Sequence, residues 1–160
     1  MPLFLALDQS TSGTKALLFD LDGQAVDREA RAHRQFYPQP GWVEHDADEI
    51  WQNSLGVLKA LIARQSARTS EIVTLSITNQ RETIVVFDRA TGRPLHPAIV
   101  WQCRRGDSIC ADHAATGWDP LVHKKTGLKL DAYFSASKLQ WLVNHRPELR
   151  AKLVDGSALV

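Results

Sequence analysis

A short polar segment between two apolar runs, near the middle of the chain, restricts the fold more than any other part of the sequence. The first run, residues 72–77, and the second, residues 84–87, are rich in β-branched residues, and a turn at 88–92 follows. Both runs predict strands. Polar residues at the end of a strand in an α/β sheet face the crevice where ligands bind. The sequence therefore predicts an α/β fold with a candidate site at residues 78–83.

Arg81 and Glu82 give this polar segment its chemistry. A guanidinium donates several hydrogen bonds and a carboxylate accepts them, which suits a ligand with several hydroxyl groups. When the two residues are considered alone, a surface salt bridge at a strand end explains them slightly better. The remainder of the chain has to decide between the two interpretations.

Composition and charge exclude several classes of protein. The chain has 160 residues, 44% hydrophobic and 23% charged, which is enough for one domain with a sizeable core. A net charge of +1 gives no basis for a nucleic-acid or membrane-surface partner. No apolar stretch has the length of a membrane span or the form of a signal peptide. Cys103 and Cys110 form no CxxC pair, so we expect reduced thiols and a cytoplasmic location.

The first thirty residues predict a β-meander with a polar corner. Apolar runs at 3–7 and 16–19 flank a hydroxyl-rich loop at 9–15, and a third strand at 25–33 follows an Asp-Gly turn. Such a corner can hold phosphate oxygens, with Lys15 as the neutralising cation and Asp8 holding magnesium through water. The Walker A pattern is absent. Considered alone, the corner is better explained as an ordinary turn.

Helix signals follow in the remainder of the chain. Asp46 with Glu49 predicts a capping box at the start of a helix that continues to about residue 62 and packs on the sheet. We expect a strand at 98–101, a helical segment from 102, and an apolar C-terminal segment, 153–160, that lacks a packing partner. The other predicted helix signals are Asp119 with Pro120, Gly127, Ser135 as a cap and Pro147.

Five sequence blocks carry a resemblance to a known family. They are residues 6–9, 37–46, 77–83, 99–105, and 126–128 with 133–135. With these blocks the chain resembles the N-terminal part of the FGGY carbohydrate kinases of the actin-like ATPase superfamily, and within them the glycerol kinases. The resemblance implies a ribonuclease-H-like mixed sheet with flanking helices. Residues 1–160 would then be an incomplete N-terminal domain, without the C-terminal ATP-binding domain, and the apolar end at Val160 also suggests a truncated chain.

The resemblance also implies two groups of site residues. Lys15 stands where glycerol kinases have Arg, Ser10 where the family usually has Gly, and Ala132 where it usually has Pro. The corner 10–15 is therefore closer to that of other sugar kinases in the family. The polyol-binding residues would be Arg81, Glu82 and Tyr133, and the phosphate-side residues would be Asp8, Thr11, Ser12, Gly13 and Lys15, with Asp8 also on the Mg²⁺ side.

The function implied by the resemblance is phosphoryl transfer from ATP, with Mg²⁺, to a primary hydroxyl of a polyol, and glycerol is the expected polyol. In the family the general base is an aspartate that has no match among these residues, so we expect residues 1–160 alone to be inactive. A homo-oligomer is expected for the longer protein. The alternatives are a kinase for another polyol or sugar and a non-catalytic polyol-binding or regulatory domain.

Overall fold

The chain divides into two units, each formed from two segments. A computed structural model describes residues 1–160. The sheet unit contains Met1–Arg34 and Asp46–Gln80, and the helical unit contains Gln35–His45 and Arg81–Val160. No helix in the chain combines the length and the apolar character needed to cross a bilayer.

The sheet unit has a four-stranded mixed sheet with one long helix. The elements are β1 (Leu3–Gln9), β2 (Gly13–Phe19), β3 (Ala25–Ala32), α1 (Ala47–Arg64), a 3-10 helix (Ser66–Glu71) and β5 (Ile72–Thr78). The strand order is β3-β2-β1-β5, in which β1 is antiparallel to β2 and parallel to β5, and β2 is antiparallel to β3. The predicted mixed sheet is therefore confirmed.

One face of this sheet forms the core with α1. Alternate residues of β1 and β2 point to the same side, because side chains alternate across a strand. Each buried aliphatic side chain of this kind stabilises the fold by about 1.5–3 kcal/mol. The buried residues are Leu3, Leu5, Leu7, Ala16 and Leu18 from the strands with Val57 and Leu61 from α1.

The start of α1 is capped as predicted, but only in one direction. The Asp46 carboxylate accepts hydrogen bonds from the backbone N–H of Asp48 at 2.9 Å and of Glu49 at 3.3 Å. The return bond from Glu49 to the cap backbone is absent, because the Glu49 carboxylate instead accepts from the N–H and Nε of Arg34. The capping-box prediction was therefore correct for Asp46 and wrong for Glu49.

The polar corner between β1 and β2 is shorter than predicted. Strand pairing continues to Gln9 opposite Thr14, which leaves only residues 10–12 as a turn. The Thr14 hydroxyl donates to Gln9 Oε1 at 2.5 Å, so polar side chains extend the pairing past the apolar run. The sequence pattern missed this extension because it followed hydrophobicity alone.

The helical unit has short strands and four helices. Its elements are β4 (Glu44–His45), β6 (Phe87–Asp88), β7 (Ala98–Ile99), α2 (Asp107–Ala115), α3 (Trp118–Thr126), α4 (Ser135–His145), α5 (Pro147–Asp155) and β8 (Ala158–Leu159). β4 pairs with β7 and β6 pairs with β8, both antiparallel.

Two predicted strands of this unit are mostly irregular. In place of the strand at 84–87, Ile84 forms an isolated bridge with Ile99, and only Phe87 enters β6. The strand at 98–101 contains only Ala98 and Ile99. The apolar residues there are buried by packing with the helices and not by a continuous ladder. Ala158, which we expected to lack a partner, is buried in β8.

Helix starts in this unit differ from the prediction by up to five residues. α2 begins at Asp107 and not at residue 102, since residues 101–106 form turns. α3 begins after Gly117, and the Asp119 carboxylate accepts from the N–H of Leu130 and caps no helix. Ser135 is the first residue of α4 and not its cap. The left-handed Gly127 at the end of α3 and Pro147 at the start of α5 are as predicted.

A buried arginine joins the segments of the helical unit. The side chain of Arg105 is fully buried, and its Nη2 lies 2.6 Å from Glu44 Oε1. Its guanidinium also lies 4.0 Å from the ring centroid of Trp42 and 4.8 Å from that of Trp141. Loss of one partner from a buried pair of this kind costs about 3–5 kcal/mol. Arg105 therefore fixes the 35–45 segment to the residues that follow β7.

Candidate functional site

The phosphate-side residues predicted from the sequence lie at one end of β1 and β2. Asp8 and Lys15 are cross-strand partners, and their side chains lie on the sheet face opposite α1. Lys15 Nζ is 3.8 Å from Asp8 Oδ2, and the two side chains are 54% and 37% exposed. An exposed pair of this kind contributes at most about 1 kcal/mol. Both charges therefore remain available to a ligand.

The opposite face of the same corner is anchored to α1. The Thr14 side chain is fully buried, and Gln9, which accepts its hydrogen bond, donates to the Ser54 hydroxyl of α1 at 3.4 Å. Gly13 is required by close packing, because a Cβ there would lie 2.6 Å from the carbonyl oxygen of Arg31. The residues on both sides of the turn at 10–12 are thus held in place by packing and by hydrogen bonds.

Ser10 closes this turn without glycine geometry. Its N–H and its hydroxyl both donate to the carbonyl oxygen of Gly13, at 3.0 and 2.8 Å. Its φ is not positive, since Glu82 is the one non-glycine residue of the chain with a positive φ. The substitution of the family's usual Gly by Ser10 is therefore compatible with a tight turn. Ser12 is exposed at the apex of the turn and Thr11 is half-buried.

This corner fits a nucleotide phosphate with a hydrated magnesium ion. Ser12, Thr11 and Lys15 provide hydroxyl groups and a cation, which are groups that bind phosphate oxygens. Asp8 belongs to no group of three or more His, Cys, Asp or Glu side chains that could hold a metal ion. Magnesium in kinase sites keeps several waters and is held by one or two carboxylates with the substrate phosphates. A water-mediated contact from Asp8 therefore suits the ion.

Glu82, in the helical unit, has the most unusual backbone of the predicted polyol-side residues. Its φ is 61°, in the left-handed region that non-glycine residues rarely adopt. The left-handed conformation costs about 1–2 kcal/mol for an L-residue. Contacts of the side chain must offset this cost for the conformation to persist.

The side chain of Glu82 makes those contacts at the start of α4. Its Oε2 accepts hydrogen bonds from the backbone N–H of Ser135 at 3.0 Å and from the Ser135 hydroxyl at 2.9 Å. The positive end of the helix dipole also favours a carboxylate at this position. Glu82 therefore replaces the missing N-cap of α4, and only one of its two oxygens is occupied.

Tyr133 lies two residues before Ser135, beside Trp101. The ring centroids of Tyr133 and Trp101 are 5.5 Å apart at an interplanar angle of 63°, and Phe134 packs edge-on to Tyr133 at 5.1 Å. The Tyr133 N–H donates to the Asp131 carboxylate at 2.8 Å. Tyr133 is 36% exposed. The aromatic rings of Tyr133 and Trp101 therefore lie near the Glu82 carboxylate. Arg81, the residue before Glu82, is exposed.

A cavity of about 410 Å³ lies among α2, α3, α4 and the segment that connects α3 to α4. Its lining includes Glu82, Ser135 and Cys110, whereas Arg81 and Tyr133 do not reach it. Its volume is in the range of small-molecule pockets. Burial raises the pKa of the Cys110 thiol, which therefore stays protonated at neutral pH and is a poor nucleophile.

Sequence reasoning missed three residues of this site: Trp101, Ser135 as the partner of Glu82, and Lys138. A signal for Lys138 was present, because it is spaced three and four residues from Trp141 and Leu142 on the apolar face of α4. Its side chain is fully buried. No comparable local signal links Glu82 to Ser135, which are 53 residues apart.

The fold agrees with the comparison to known proteins. The family model for the FGGY family of carbohydrate kinases, N-terminal domain, matches residues 3–156. The chain belongs to the FGGY family of carbohydrate kinases. The predicted α/β fold of the actin-like ATPase type is thereby confirmed for the part of the fold that these residues cover.

Individual relatives of the chain are glycerol kinases. Glycerol kinase from Symbiobacterium thermophilum is 51% identical over 152 residues, which are 95% of this chain and 30% of the relative. Glycerol kinase from Carboxydothermus hydrogenoformans is 48% identical over 155 residues, 97% of this chain and 31% of the relative. The crystal structure of Plasmodium falciparum glycerol kinase with ADP has a TM-score of 0.94 and 36% identity over 99% of this chain and 32% of that chain. The chain thus spans about a third of the length of the relatives it matches.

Proposed function

We propose that these 160 residues form the polyol-binding and part of the phosphate-binding portion of a glycerol kinase, which transfers a phosphoryl group from ATP to a primary hydroxyl of glycerol. The observation that carries the proposal is the geometry of Glu82. Its carboxylate is fixed by two bonds to Ser135 and keeps one oxygen for a ligand hydroxyl. The glycerol kinases that match most of the chain support the choice of polyol.

The proposed polyol site binds hydroxyl groups through hydrogen bonds with charged side chains. Arg81 donates to substrate oxygens and Glu82 accepts from substrate hydroxyls, while Tyr133 limits the space beside them. Fixed partners of this kind hold the attacking hydroxyl in a productive orientation, which can supply a large part of the rate enhancement. No carboxylate of this chain is proposed as the general base.

The proposed phosphate side is the β1–β2 corner. Thr11, Ser12 and Lys15 bind phosphate oxygens with the backbone near Gly13, and Asp8 holds a water of the magnesium shell. Magnesium, when bound, neutralises charge on the phosphates and orients them. Lys15 supplies a point charge where an arginine would supply a planar fork, so its contact is less directional.

A chimera tests the proposed substrate. In Symbiobacterium thermophilum glycerol kinase, the aligned 152 residues are replaced by those of this chain. ATP-dependent ADP release is then measured with glycerol and with a panel of ketoses and polyols. The proposal expects the highest kcat/KM for glycerol. A folded chimera that prefers another polyol or a sugar would establish the alternative kinase.

The same chimera tests the non-catalytic alternative. A polyol-binding or regulatory domain would bind glycerol without supporting turnover. A folded chimera that binds glycerol and releases no ADP above background would support that alternative against the proposed function. The unaltered Symbiobacterium enzyme is the matched control.

A further inference from the structure

The ammonium of Lys138 is buried in α4 and bonded only to backbone carbonyls. The side chain is fully inaccessible to solvent. Its Nζ donates to the carbonyl oxygens of Ala132 at 2.6 Å, Tyr133 at 2.5 Å and Phe134 at 3.2 Å. An ammonium has three donors, so each carbonyl takes one. A buried charge is tolerated only when it is bonded in this way.

These three carbonyls belong to the loop that carries Tyr133. The carbonyls of the loop accept hydrogen bonds from Lys138. A second contact restrains the loop, because the Tyr133 N–H donates to the Asp131 carboxylate. The backbone of Tyr133 is therefore fixed at both its donor and its acceptor. The Tyr133 ring remains partly exposed against Trp101.

The same turn of α4 also holds Glu82. Ser135, which binds the Glu82 carboxylate, directly follows the last of the three carbonyl residues. A shift of the loop would therefore move the Tyr133 ring and the carboxylate partner together.

We propose that Lys138 is a positioning residue of the polyol site, which holds Tyr133 and, through Ser135, Glu82 in their substrate-binding arrangement. This inference rests on the proposed polyol function of Glu82 and Tyr133. Lys138 itself touches no substrate and acts through the loop 132–134.

Titration of Lys138 gives the proposal a readout when it is followed together with glycerol binding, because a purely structural lysine would titrate without affecting glycerol binding. Burial lowers the pKa of Lys138 to about 8. The titratable groups that act on it are Cys103, Glu82, Cys110 and Asp131. They raise the pKa of Lys138, but by less than burial lowers it. Loss of the proton leaves two donors for three carbonyls. The loop is therefore expected to loosen as the pH rises through about 8.

The test uses NMR on the 160-residue chain. The amides of Tyr133, Phe134 and Ser135 and the indole N–H of Trp101 are followed against pH and against added glycerol. The variants are Lys138→Met, whose unbranched side chain is one heavy atom shorter and carries no charge, and Lys59→Met, the control, whose lysine is exposed on α1. We expect a shared inflection near pH 8 in the wild type and in Lys59→Met. In Lys138→Met the inflection should be lost and the glycerol-induced shifts at least several-fold weaker.

Each outcome decides between the two proposals. Glycerol shifts that are unchanged in a folded Lys138→Met chain would overturn the positioning role and leave the polyol site intact. Inflections without any glycerol shift in the wild type would overturn the polyol site, and Lys138 would then be a structural residue. If Lys138→Met does not fold, the wild type still decides: the Lys138 Cε and Tyr133 amide must titrate with one pKa, and separate values would contradict the proposal.

Discussion

At the scale of single residues, Glu82 combines a strained backbone with a carboxylate oxygen, Oε2, that accepts two hydrogen bonds. Its left-handed φ of 61° would favour glycine, yet a carboxylate is present and caps α4 through Ser135. The strain and the cap therefore belong to one arrangement, in which the bonds to Ser135 offset the cost of the backbone.

Removal of the Ser135 hydroxyl tests this arrangement. Ser135→Ala removes one of the two bonds to Glu82 Oε2, and hydrogen bonds to charged groups contribute about 1.5–3 kcal/mol. Because the bond is only partly buried, we expect a loss of about 1–2 kcal/mol in the free energy of unfolding. Urea unfolding monitored by circular dichroism measures it.

Ser70→Ala is the control for this substitution, since Ser70 is exposed and forms no such contact. It should change the free energy of unfolding by no more than about 0.5 kcal/mol. Equal effects of the two substitutions would show that the Glu82 cap contributes nothing to stability.

At the scale of secondary-structure elements, the end of α1 is tied to β3 by charged groups. Hydrogen bonds from Arg64 and Gln65 lower the pKa of Asp27 from 3.8 to about 2. A carboxyl with a lowered folded pKa stabilises the fold fully above its unfolded pKa, and this stabilisation is lost as the pH falls toward 2.

Asp27→Asn should therefore destabilise the chain more at neutral than at acidic pH. Solvent screens this pair, since the Arg64 side chain is 43% exposed, so we expect a loss of about 1 kcal/mol at pH 7, below the full conversion of the shift at about 1.36 kcal/mol per pKa unit. The difference between wild type and variant should be clearly smaller at pH 3 in the same urea titration. Asp22→Asn, at an exposed turn residue, should show no such pH dependence. A difference that is equal at both pH values would contradict the assignment.

Strand β5 exposes three large apolar side chains. Val73, Leu75 and Ile77 share one face and are 60%, 46% and 66% exposed, and β5 pairs with β1 on one edge only. Exposed apolar edge strands promote association. The sequence pattern predicted an unpartnered apolar surface at 153–160, and there Val154, Leu159 and Val160 are exposed whereas Ala158 is buried.

We expect the 160-residue chain to self-associate through β5. Light scattering should give a mass that rises with concentration, and Ile77→Lys should reduce the rise because a lysine blocks edge pairing. Leu21→Lys, at an exposed turn residue, should leave the association unchanged. A wild-type chain that remains a monomer at high concentration would contradict this expectation.

The sequence predicted elements well where the signal was local. Asp46 as a cap and Pro147 as a first residue depend on neighbours within one turn, and both are correct. The prediction of a strand at 84–87 was wrong because its residues form isolated bridges with Pro94 and Ile99, and only Phe87 continues into a ladder, with β8 about seventy residues later. The roles of Arg81, Glu82 and Tyr133 came from the family resemblance. The support from Ser135 depends on packing between residues 53 apart, which no local pattern encodes, whereas the spacing of Lys138 on the apolar face of α4 was a local signal.

At the scale of the whole molecule, the residues proposed for the phosphate side and for the polyol side belong to different units. The β1–β2 corner belongs to the sheet unit, and Glu82 with Tyr133 belongs to the helical unit. Since the chain spans 30% of the Symbiobacterium glycerol kinase, we propose that turnover requires the remaining part of such an enzyme.

The 160-residue chain alone should therefore release no ADP from ATP in the presence of glycerol and magnesium. The reason is that the family resemblance assigns the general base to an aspartate that has no match among these residues. A coupled assay measures ADP release, and the chimera described above is the positive control. Magnesium-dependent turnover by the chain alone, well above the enzyme-free blank, would contradict the proposed division of the site.

Our central proposal is that the Glu82 carboxylate accepts a hydrogen bond from a substrate hydroxyl. Its most direct test is kcat/KM for glycerol and for propane-1,3-diol, measured in the chimera and in its Glu82→Ala and Lys15→Ala variants. A site that bonds a substrate hydroxyl rejects the analogue without it by about 10⁴-fold. We expect Glu82→Ala to cost about 2–5 kcal/mol of transition-state stabilisation for glycerol and to abolish most of the discrimination. Lys15→Ala should weaken ATP use and preserve the preference for glycerol, whereas full discrimination in Glu82→Ala would contradict the claim.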